Sequence, residues 1–176
     1  MNKIGFFGGC FNPPTNIHIE IANNLVKQGK LDKVVFVPVN DYYEKNDLIS
    51  QQHRFNMLKL AIKNFKYFDI EDIELKQYKK FYAVDIFKIL NEKYINSDIF
   101  MIMGSDNYNK MPGWKDYTKI KDLYKYIVIE RNNNDISSTQ IRQMIKDNNT
   151  NVEEYIPKDV YKYILENNLY KEVFNG

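Results

Sequence analysis

A short segment near the N-terminus carries residue types that bind phosphate. Gly8 and Gly9 follow an apolar run, and Thr15 and His18 stand three residues apart after Asn-Pro-Pro. Glycines let a backbone approach a phosphate closely or adopt a positive φ. A helix N-terminus offers an anion unpaired N–H groups and the positive end of its dipole. If Thr15 caps a helix that includes His18, both side chains lie at the N-terminal end of that helix, its mouth. The segment therefore predicts a phosphate site at the end of a strand.

A second segment, residues 135–142, offers similar chemistry. Ser137 and Gln140, three residues apart, form a capping box. The start of a helix would by itself explain this part of the pattern. Several hydroxyls at a helix mouth with an arginine one turn in also make a polyphosphate site. Two such helix mouths are more specific for a nucleotide than either one alone. The hydroxyls and the arginine are Ser137, Ser138, Thr139 and Arg142.

Three other positions could contact a nucleotide. Asp106 comes two residues after Gly104, at the end of an apolar run, where a carboxylate could accept from ribose hydroxyls. Trp114, the sole tryptophan, follows Pro-Gly, which predicts a loop position where it could stack on a planar or cationic ring. Core packing is the alternative for Trp114. Lys45 could add charge to a phosphate or be a solvated loop lysine. Arg54 is a further arginine that could bind phosphate, but it could equally be a surface residue that pairs with an acid.

Composition limits the function classes. The 176 residues suffice for one sizeable core, and a net charge of +2 gives no electrostatic reason to expect nucleic acid or a membrane surface as a partner. The single cysteine excludes an intramolecular disulfide and suits a reducing cytoplasm. No apolar run approaches the ~20 residues of a membrane span. We therefore expect a cytoplasmic globular protein.

Strand and helix patterns alternate along the chain. This alternation predicts an α/β fold with a doubly wound parallel sheet of about five strands and flanking helices. The ligand crevice of such a sheet lies beyond the carboxyl ends of its strands. Without repeats or a linker, residues 1–176 are expected to form one domain. Strands are predicted at 4–7, 34–37, 68–73, 99–103 and 126–130, and helices at 16–28, 51–63, 82–94, 138–147 and 158–167.

The glycine-to-histidine segment, Gly-Gly-x-Phe-Asn-Pro-x-Thr-x-x-His at 8–18, resembles the signature of the nucleotidylyltransferase superfamily. Within it, the chain resembles the nicotinamide/nicotinate mononucleotide adenylyltransferases, which make dinucleotides from ATP and a pyridine mononucleotide. The resemblance covers nearly the whole chain, including the Ile-Ser-Ser-Thr-x-Ile-Arg motif at 136–142. There are three departures. Thr15 stands for the more usual histidine, Ala83 stands where many bacterial nicotinate enzymes have threonine, and the 130–136 segment is short.

The resemblance implies a Rossmann-like nucleotidyltransferase fold and the transfer of AMP from ATP to nicotinate or nicotinamide mononucleotide, with release of pyrophosphate. The implied catalytic residues are His18, Thr15, Lys45 and Arg142. The implied ATP-binding residues, besides His18 and Arg142, are Gly8, Gly9, Phe11, Asn12, Gly104, Asp106, Ser137, Ser138 and Thr139. The implied contacts of the pyridine nucleotide are Trp114, Tyr82 and Asn40.

Mg²⁺ is expected to arrive with ATP, because no carboxylate cluster marks a metal site in the protein. The expected partners are the two nucleotide substrates, with neither nucleic acid nor a membrane, and a homo-oligomer is left open. Two other functions remain. Phosphopantetheine adenylyltransferases share the Thr-Asn-x-His pattern and the short 130–136 segment. A nucleotide-sensing module would bind without turnover, although such a module would not need both helix mouths.

Overall fold

Strands and helices alternate in the computed structural model, which describes residues 2–42, 45, 47–121, 124–130 and 135–171. The strands are β1 (Asn2–Gly9), β2 (Lys33–Pro38), β3 (Phe68–Ile70), β4 (Ser97–Gly104) and β5 (Lys125–Ile129). The helices are α1 (Asn16–Lys27), α2 (Gln51–Ile62), α3 (Ala83–Lys93), α4 (Ser105–Lys110), α5 (Tyr117–Ile120), α6 (Ser138–Lys146) and α7 (Lys158–Glu166). Short 3₁₀ turns lie at Met111–Gly113 and Thr150–Glu154.

The strands form one parallel sheet in the order β3-β2-β1-β4-β5. The chain builds β2 and β3 outward on one side of β1, then crosses over to build β4 and β5 on the other. The strand order therefore reverses between β1 and β4, where parallel sheets of this kind bind ligands. The predicted fold class is confirmed.

Both faces of the sheet are buried, which explains why its central strands read as continuous apolar runs. Along β1, the side chains of Ile4 and Phe6 enter one core, and Phe7 enters the other. Residues of α1, α2, α6 and α7 complete the core around Phe7. Residues of α3 and α5 complete the opposite core. The helices on the two faces hold the carboxyl edge of the sheet in place from both sides.

The observed helices and strands differ from the predicted ones where contacts between segments distant in sequence set their ends or their buried faces. β1 continues through Gly8 and Gly9, because they pair with the end of β2. β3 ends at Ile70, three residues earlier than predicted. In α1, Ile19, Ala22 and Leu25 are the buried residues, while Ile17 and Ile21 are half-buried and line a cleft. Residues 131–134, the centre of the short 130–136 segment, lie outside the described part.

Among the described residues, no helix combines the length and the apolar character that a membrane span requires.

Candidate active site

A cleft of about 840 Å³ opens at the carboxyl edge of the sheet, across the point where the strand order reverses. Its walls include the ends of β1, β2, β4 and β5 and the N-termini of α1, α3 and α6. The structure brings nearly all the predicted site residues together here. Those that line the cleft are Gly8, Gly9, Phe11, Asn12, Thr15, His18, Lys45, Tyr82, Gly104, Asp106, Trp114, Ser137, Ser138, Thr139 and Arg142.

Several contacts fix the orientation of His18. Thr15 is the N-cap of α1, as predicted, and its hydroxyl accepts from the backbone N–H of His18. The backbone N–H of Thr15 donates to Nδ1 of His18 at 3.0 Å. The imidazole packs edge-on against Phe11, with ring centroids 5.3 Å apart, and lies 5.9 Å from the Phe7 ring. Because Nδ1 accepts from a group that can only donate, the neutral ring carries its proton on Nε2. His18 is therefore a preoriented donor for an anion in the cleft.

The two glycines act through their lack of a side chain, not through positive φ. A Cβ at Gly8 would meet no atom within 4 Å, so that position leaves open space in the cleft. A Cβ at Gly9 would lie 3.1 Å from the Phe11 ring. The left-handed conformation in this loop belongs to Phe11, at φ 47°. Phe11, predicted to bind ATP, is a buried core residue that supports the ring of His18.

The N-terminus of α6 is joined to the loop that precedes α1. Ser137 caps α6 in the predicted capping box with Gln140. Ser138 donates its hydroxyl to the carbonyl of Pro13 at 2.9 Å, and the guanidinium of buried Arg142 donates to the carbonyl of Asn12 at 3.0 Å. These contacts hold the two helix mouths side by side, so they face one cleft. Arg142 has five N–H donors, which leaves donors for a ligand.

Asn12 connects three distant parts of the chain. Its side-chain oxygen accepts from the hydroxyl of Tyr170 at 2.8 Å, and its amide nitrogen donates to the carbonyl of Asp47 at 2.8 Å. Its own carbonyl accepts from Arg142. Only 3% of Asn12 is exposed. The sequence predicts Asn12 as a nucleotide ligand. In the structure, both the oxygen and the nitrogen of its side-chain amide are hydrogen-bonded within the protein.

Arg54 is fully buried, at 0% exposure, and this excludes the surface position that the sequence left open. Its guanidinium donates to the carbonyls of Cys10, Val39 and Ile49 and to the carboxylate of Asp41. These acceptors belong to the loops that follow β1 and β2 and to the segment before α2. Arg54 therefore fixes the shape of the loops at the cleft.

Asn40, which the resemblance implies as a contact of the pyridine nucleotide, lies outside the described lining of the cleft. It is almost fully buried, and its side-chain amide donates to the carbonyls of Glu74 and Lys79. Its side-chain oxygen accepts from the N–H of Tyr42. Asn40 consequently ties the loop after β2 to the segment that leads into α3.

Glu74 is a buried carboxyl in the cleft wall that the sequence did not single out. It is 4% exposed, and one of its oxygens accepts from the backbone N–H of Asn40 at 3.2 Å. Burial raises the pKa of Glu74 from 4.5 to about 7, although the Asn40 N–H and the charge of Arg54 act in the opposite direction. Glu74 therefore changes charge near neutral pH.

The opposite end of the cleft is aromatic and positively charged. Trp114 is half-buried after the 3₁₀ turn, and Tyr82 caps the start of α3 with 38% of its surface exposed. The ammonium of Lys115 lies 4.5 Å from the centroid of the Tyr82 ring, and that of Lys80 lies 5.9 Å from it. Trp114 packs partly on the adjacent core and also lines the cleft, and its contact with a pyridine ring stays a prediction.

The remaining predicted residues lie where they could meet polar groups of a ligand. The ammonium of Lys45 reaches the cleft and lies 3.8 Å from the sulfur of Cys10. Gly104 ends β4, and Asp106 follows in the first turn of α4. Within the described ranges, no three His, Cys, Asp or Glu side chains come together as a metal site would require. The polar donors of this cleft, namely hydroxyls, an imidazole and guanidinium and ammonium groups, are those that suit phosphate oxygens.

Comparisons with known proteins agree with this geometry. The cytidylyltransferase-like family profile matches residues 6–144. A nicotinate-nucleotide adenylyltransferase of Bacillus subtilis is 32% identical over 97% of this chain and 100% of its own length. This chain belongs to the cytidylyltransferase-like family and, within it, to the nicotinate-nucleotide adenylyltransferases. Another relative in this group, a "probable nicotinate-nucleotide adenylyltransferase" of Acholeplasma laidlawii, is 34% identical over 95% of this chain and 97% of its own.

Solved structures of family members share the fold. The nicotinic acid mononucleotide adenylyltransferase of Plasmodium falciparum, determined in complex with NaAD, superimposes with a TM-score of 0.80. The match covers 97% of this chain and 98% of that one at 21% sequence identity. This chain therefore has the architecture of the family over the whole aligned length.

Proposed function

We propose that this protein transfers the adenylyl group of ATP to a pyridine mononucleotide and releases pyrophosphate, and that nicotinate mononucleotide is its preferred acceptor. The observation that carries the proposal is the single cleft onto which both phosphate-binding helix mouths open, with an aromatic end that suits a pyridine ring. The names of the relatives support the nicotinate form. We assign the activity to one nucleotidylyltransferase domain over residues 1–176, in the cytoplasm.

The chemistry requires alignment and charge stabilisation more than proton transfer. An oxygen of the mononucleotide phosphate, already ionised at neutral pH, attacks the α-phosphorus of ATP. The bond from that phosphorus to the bridging oxygen of the β-phosphate breaks, and pyrophosphate leaves with the electron pair. Holding both phosphates in line supplies much of such a rate enhancement, and fixed donors stabilise the charge that develops.

The polar residues of the cleft have distinct proposed roles. His18 donates from Nε2 to a phosphate oxygen at the reacting centre, and Thr15 holds the imidazole in that tautomer. Lys45 and Arg142 add positive charge around the triphosphate. The hydroxyls of α6 and the backbone at Gly8 and Gly9 contact its oxygens, and Asp106 accepts from ribose hydroxyls.

We further propose that Mg²⁺ enters with ATP, bound to the triphosphate oxygens. The donors in the cleft are those that bind phosphate, and they fit a cation whose ligands are supplied chiefly by the nucleotide and water. When bound, Mg²⁺ would neutralise part of the charge on the triphosphate. The residues of the chain then position the α-phosphorus toward the acceptor.

Pyrophosphate release from ATP tests the proposal with four acceptors: nicotinate mononucleotide, nicotinamide mononucleotide, phosphopantetheine and water. We expect turnover with the pyridine mononucleotides, faster with the nicotinate form, and little with the other two. Equal or faster turnover with phosphopantetheine would assign the protein to a different adenylyltransfer reaction. Binding of ATP without release of pyrophosphate under any condition would favour a nucleotide sensor.

A further inference from the structure

Two lysines surround the exposed ring of Tyr82 at the aromatic end of the cleft. The ammonium of Lys115 lies 4.5 Å from the ring centroid, well within the distance for a cation–π contact. Lys80 is farther away, at 5.9 Å. Lys115 directly follows Trp114, and all four residues line the cleft. A cation therefore occupies the face of an aromatic ring in the region predicted to receive the pyridine.

Lys115 makes no ion pair within the described part of the chain. The adjacent carboxylate, Asp116, pairs with Lys119 at 2.9 Å, which is the main cause of its lowered pKa, and the charge of Lys115 adds a smaller effect in the same direction. The ammonium of Lys115 itself lies against the ring of Tyr82. A carboxylate that enters this end of the cleft would therefore compete for Lys115 only with Asp116, which already has a partner.

The ligand of the proposed function also carries a cation. The ring nitrogen of a pyridine mononucleotide bears a positive charge, so the face of Tyr82 that attracts the Lys115 ammonium attracts the pyridinium equally. The nicotinate form adds a carboxylate to the same ring, whereas the nicotinamide form adds a neutral amide. The flexible four-carbon stem of a lysine lets the ammonium move several ångströms while its backbone stays in place.

We propose that Lys115 occupies the pyridinium position in the ligand-free protein, is displaced when the mononucleotide binds, and then pairs with the carboxylate of the nicotinate ring. This inference rests on the proposed function and names a specificity-determining residue for it. Displacement of the ammonium opposes the binding of either mononucleotide. Only the nicotinate form compensates with a new ion pair, so Lys115 discriminates the acid from the amide.

The test compares Lys115→Met with Lys59→Met, a change of equal charge at an exposed position of α2 outside the cleft. For each variant and the unmodified protein, kcat/KM is measured with both mononucleotides and the KM for ATP is measured separately. We expect Lys115→Met to lower kcat/KM for nicotinate mononucleotide by about tenfold, the usual effect of losing a charged hydrogen bond. The value for nicotinamide mononucleotide should stay unchanged or rise, and the KM for ATP should not change. Lys115→Arg, which retains the charge, should keep the preference for the acid.

Binding gives an independent readout, because the emission of the sole tryptophan reports on this end of the cleft. Titration with each mononucleotide should show that Lys115→Met weakens binding of the nicotinate form and leaves binding of the nicotinamide form unchanged or tighter. An equal effect on both ligands, or the same loss of preference in Lys59→Met, would overturn the inference while leaving the proposed function intact. Absence of turnover with either mononucleotide in the unmodified protein would instead remove the proposed function, and this inference with it.

Discussion

His18 illustrates how a single residue in this site combines a structural contact with a proposed chemical role. Its Nδ1 accepts from the backbone N–H of Thr15, the N-cap residue, which leaves the proton on Nε2. Two aromatic rings restrict the imidazole further. A donor that is already oriented costs little reorganisation when charge develops on a phosphate, and this is the situation in which fixed donors accelerate reactions most.

Replacement of His18 by alanine should therefore reduce kcat by about 100-fold or more, because one positioned donor is lost. The helix should persist, since Thr15 still caps it through its hydroxyl. The measurement is steady-state pyrophosphate release together with a thermal unfolding curve. His53, the other histidine, contacts Tyr163 and does not line the cleft, so His53→Ala is the matched control. Unchanged kinetics in a folded His18→Ala protein would show that His18 only starts the helix.

The carboxyl of Glu74 makes stability depend on pH. Its pKa is about 7 in the folded protein, against 4.5 for an ordinary glutamate, so between these values the unfolded chain releases a proton that the folded protein keeps. Stability therefore falls as the pH rises through this window and levels off above it. The gap corresponds to about 3 kcal/mol. Glu74→Gln should match the unmodified protein near pH 4 and exceed it by up to that amount near pH 8.

Urea denaturation at a series of pH values measures this difference. The substitution Glu92→Gln, at an exposed position of α3, serves as the control and should show no such trend. A constant difference between Glu74→Gln and the unmodified protein from pH 4 to 8 would mean that the carboxyl titrates alike in the folded and unfolded chain.

At the scale of elements, the site depends on loops that follow parallel strands. The described residues of the loops after β1 and β2 form no helix or strand, so their backbone carbonyls need partners from elsewhere. Arg54 on α2 supplies donors to Cys10, Val39 and Ile49. On the same face of the sheet, α6 holds the loop before α1 through Ser138 and Arg142. Both helices thus contact the loop between β1 and α1, which neither of them adjoins in sequence.

Arg54→Met retains much of the side-chain volume but removes every donor, leaving buried carbonyls and one carboxylate without their partner. We expect the free energy of unfolding to fall by about 3–5 kcal/mol, as when one member of a buried charged network is removed. Equilibrium denaturation in urea provides the measurement. Lys59→Met, an exposed change on the same helix, should cost much less. Equal losses in the two variants would indicate that the hydrogen bonds of Arg54 contribute little net stability.

At the scale of the whole molecule, the end of the described chain supports the beginning. Tyr170 lies 158 positions after Asn12, yet its hydroxyl donates to the side chain of that residue. Burial raises the pKa of Tyr170, so the hydroxyl stays a donor at ordinary pH. Through Asn12 the contact extends to Arg142 at the mouth of α6. The end of the cleft that we propose holds the triphosphate therefore depends on the packing of the C-terminal segment.

Tyr170→Phe should lower the free energy of unfolding by about 1–2 kcal/mol, because the oxygen of Asn12 loses its donor. The KM for ATP should rise several-fold while that for the mononucleotide stays constant, since the displaced loop lies at the phosphate end. Tyr163→Phe removes a hydroxyl that bonds to His53 and Asn56 away from the cleft, and should change stability without changing either KM. Equal KM effects in both variants would refute a specific link from Tyr170 to the ATP site.

The sequence by itself determined the elements and most members of the site. Alternation of apolar runs with amphipathic stretches predicts each strand and the five longer helices. A strand buried on both faces is continuously apolar and a helix buried on one face is periodically apolar, so both can be recognised from the local sequence. The caps at Thr15 and Ser137 follow from interactions within four residues. Strand order then brings the candidate residues together, since the carboxyl ends of parallel strands lie at one edge.

Only the tertiary structure decided what individual polar residues do there. Asn40 and Arg54 hold loops in place, and the side chain of Asn12 is bonded to Asp47 and Tyr170. Glu74 and Lys115 carry no local pattern that distinguishes them from surface residues. Burial, hydrogen-bond partners and nearby charges are set by segments far apart in sequence, so a residue type alone cannot show whether its donors face a ligand or the protein.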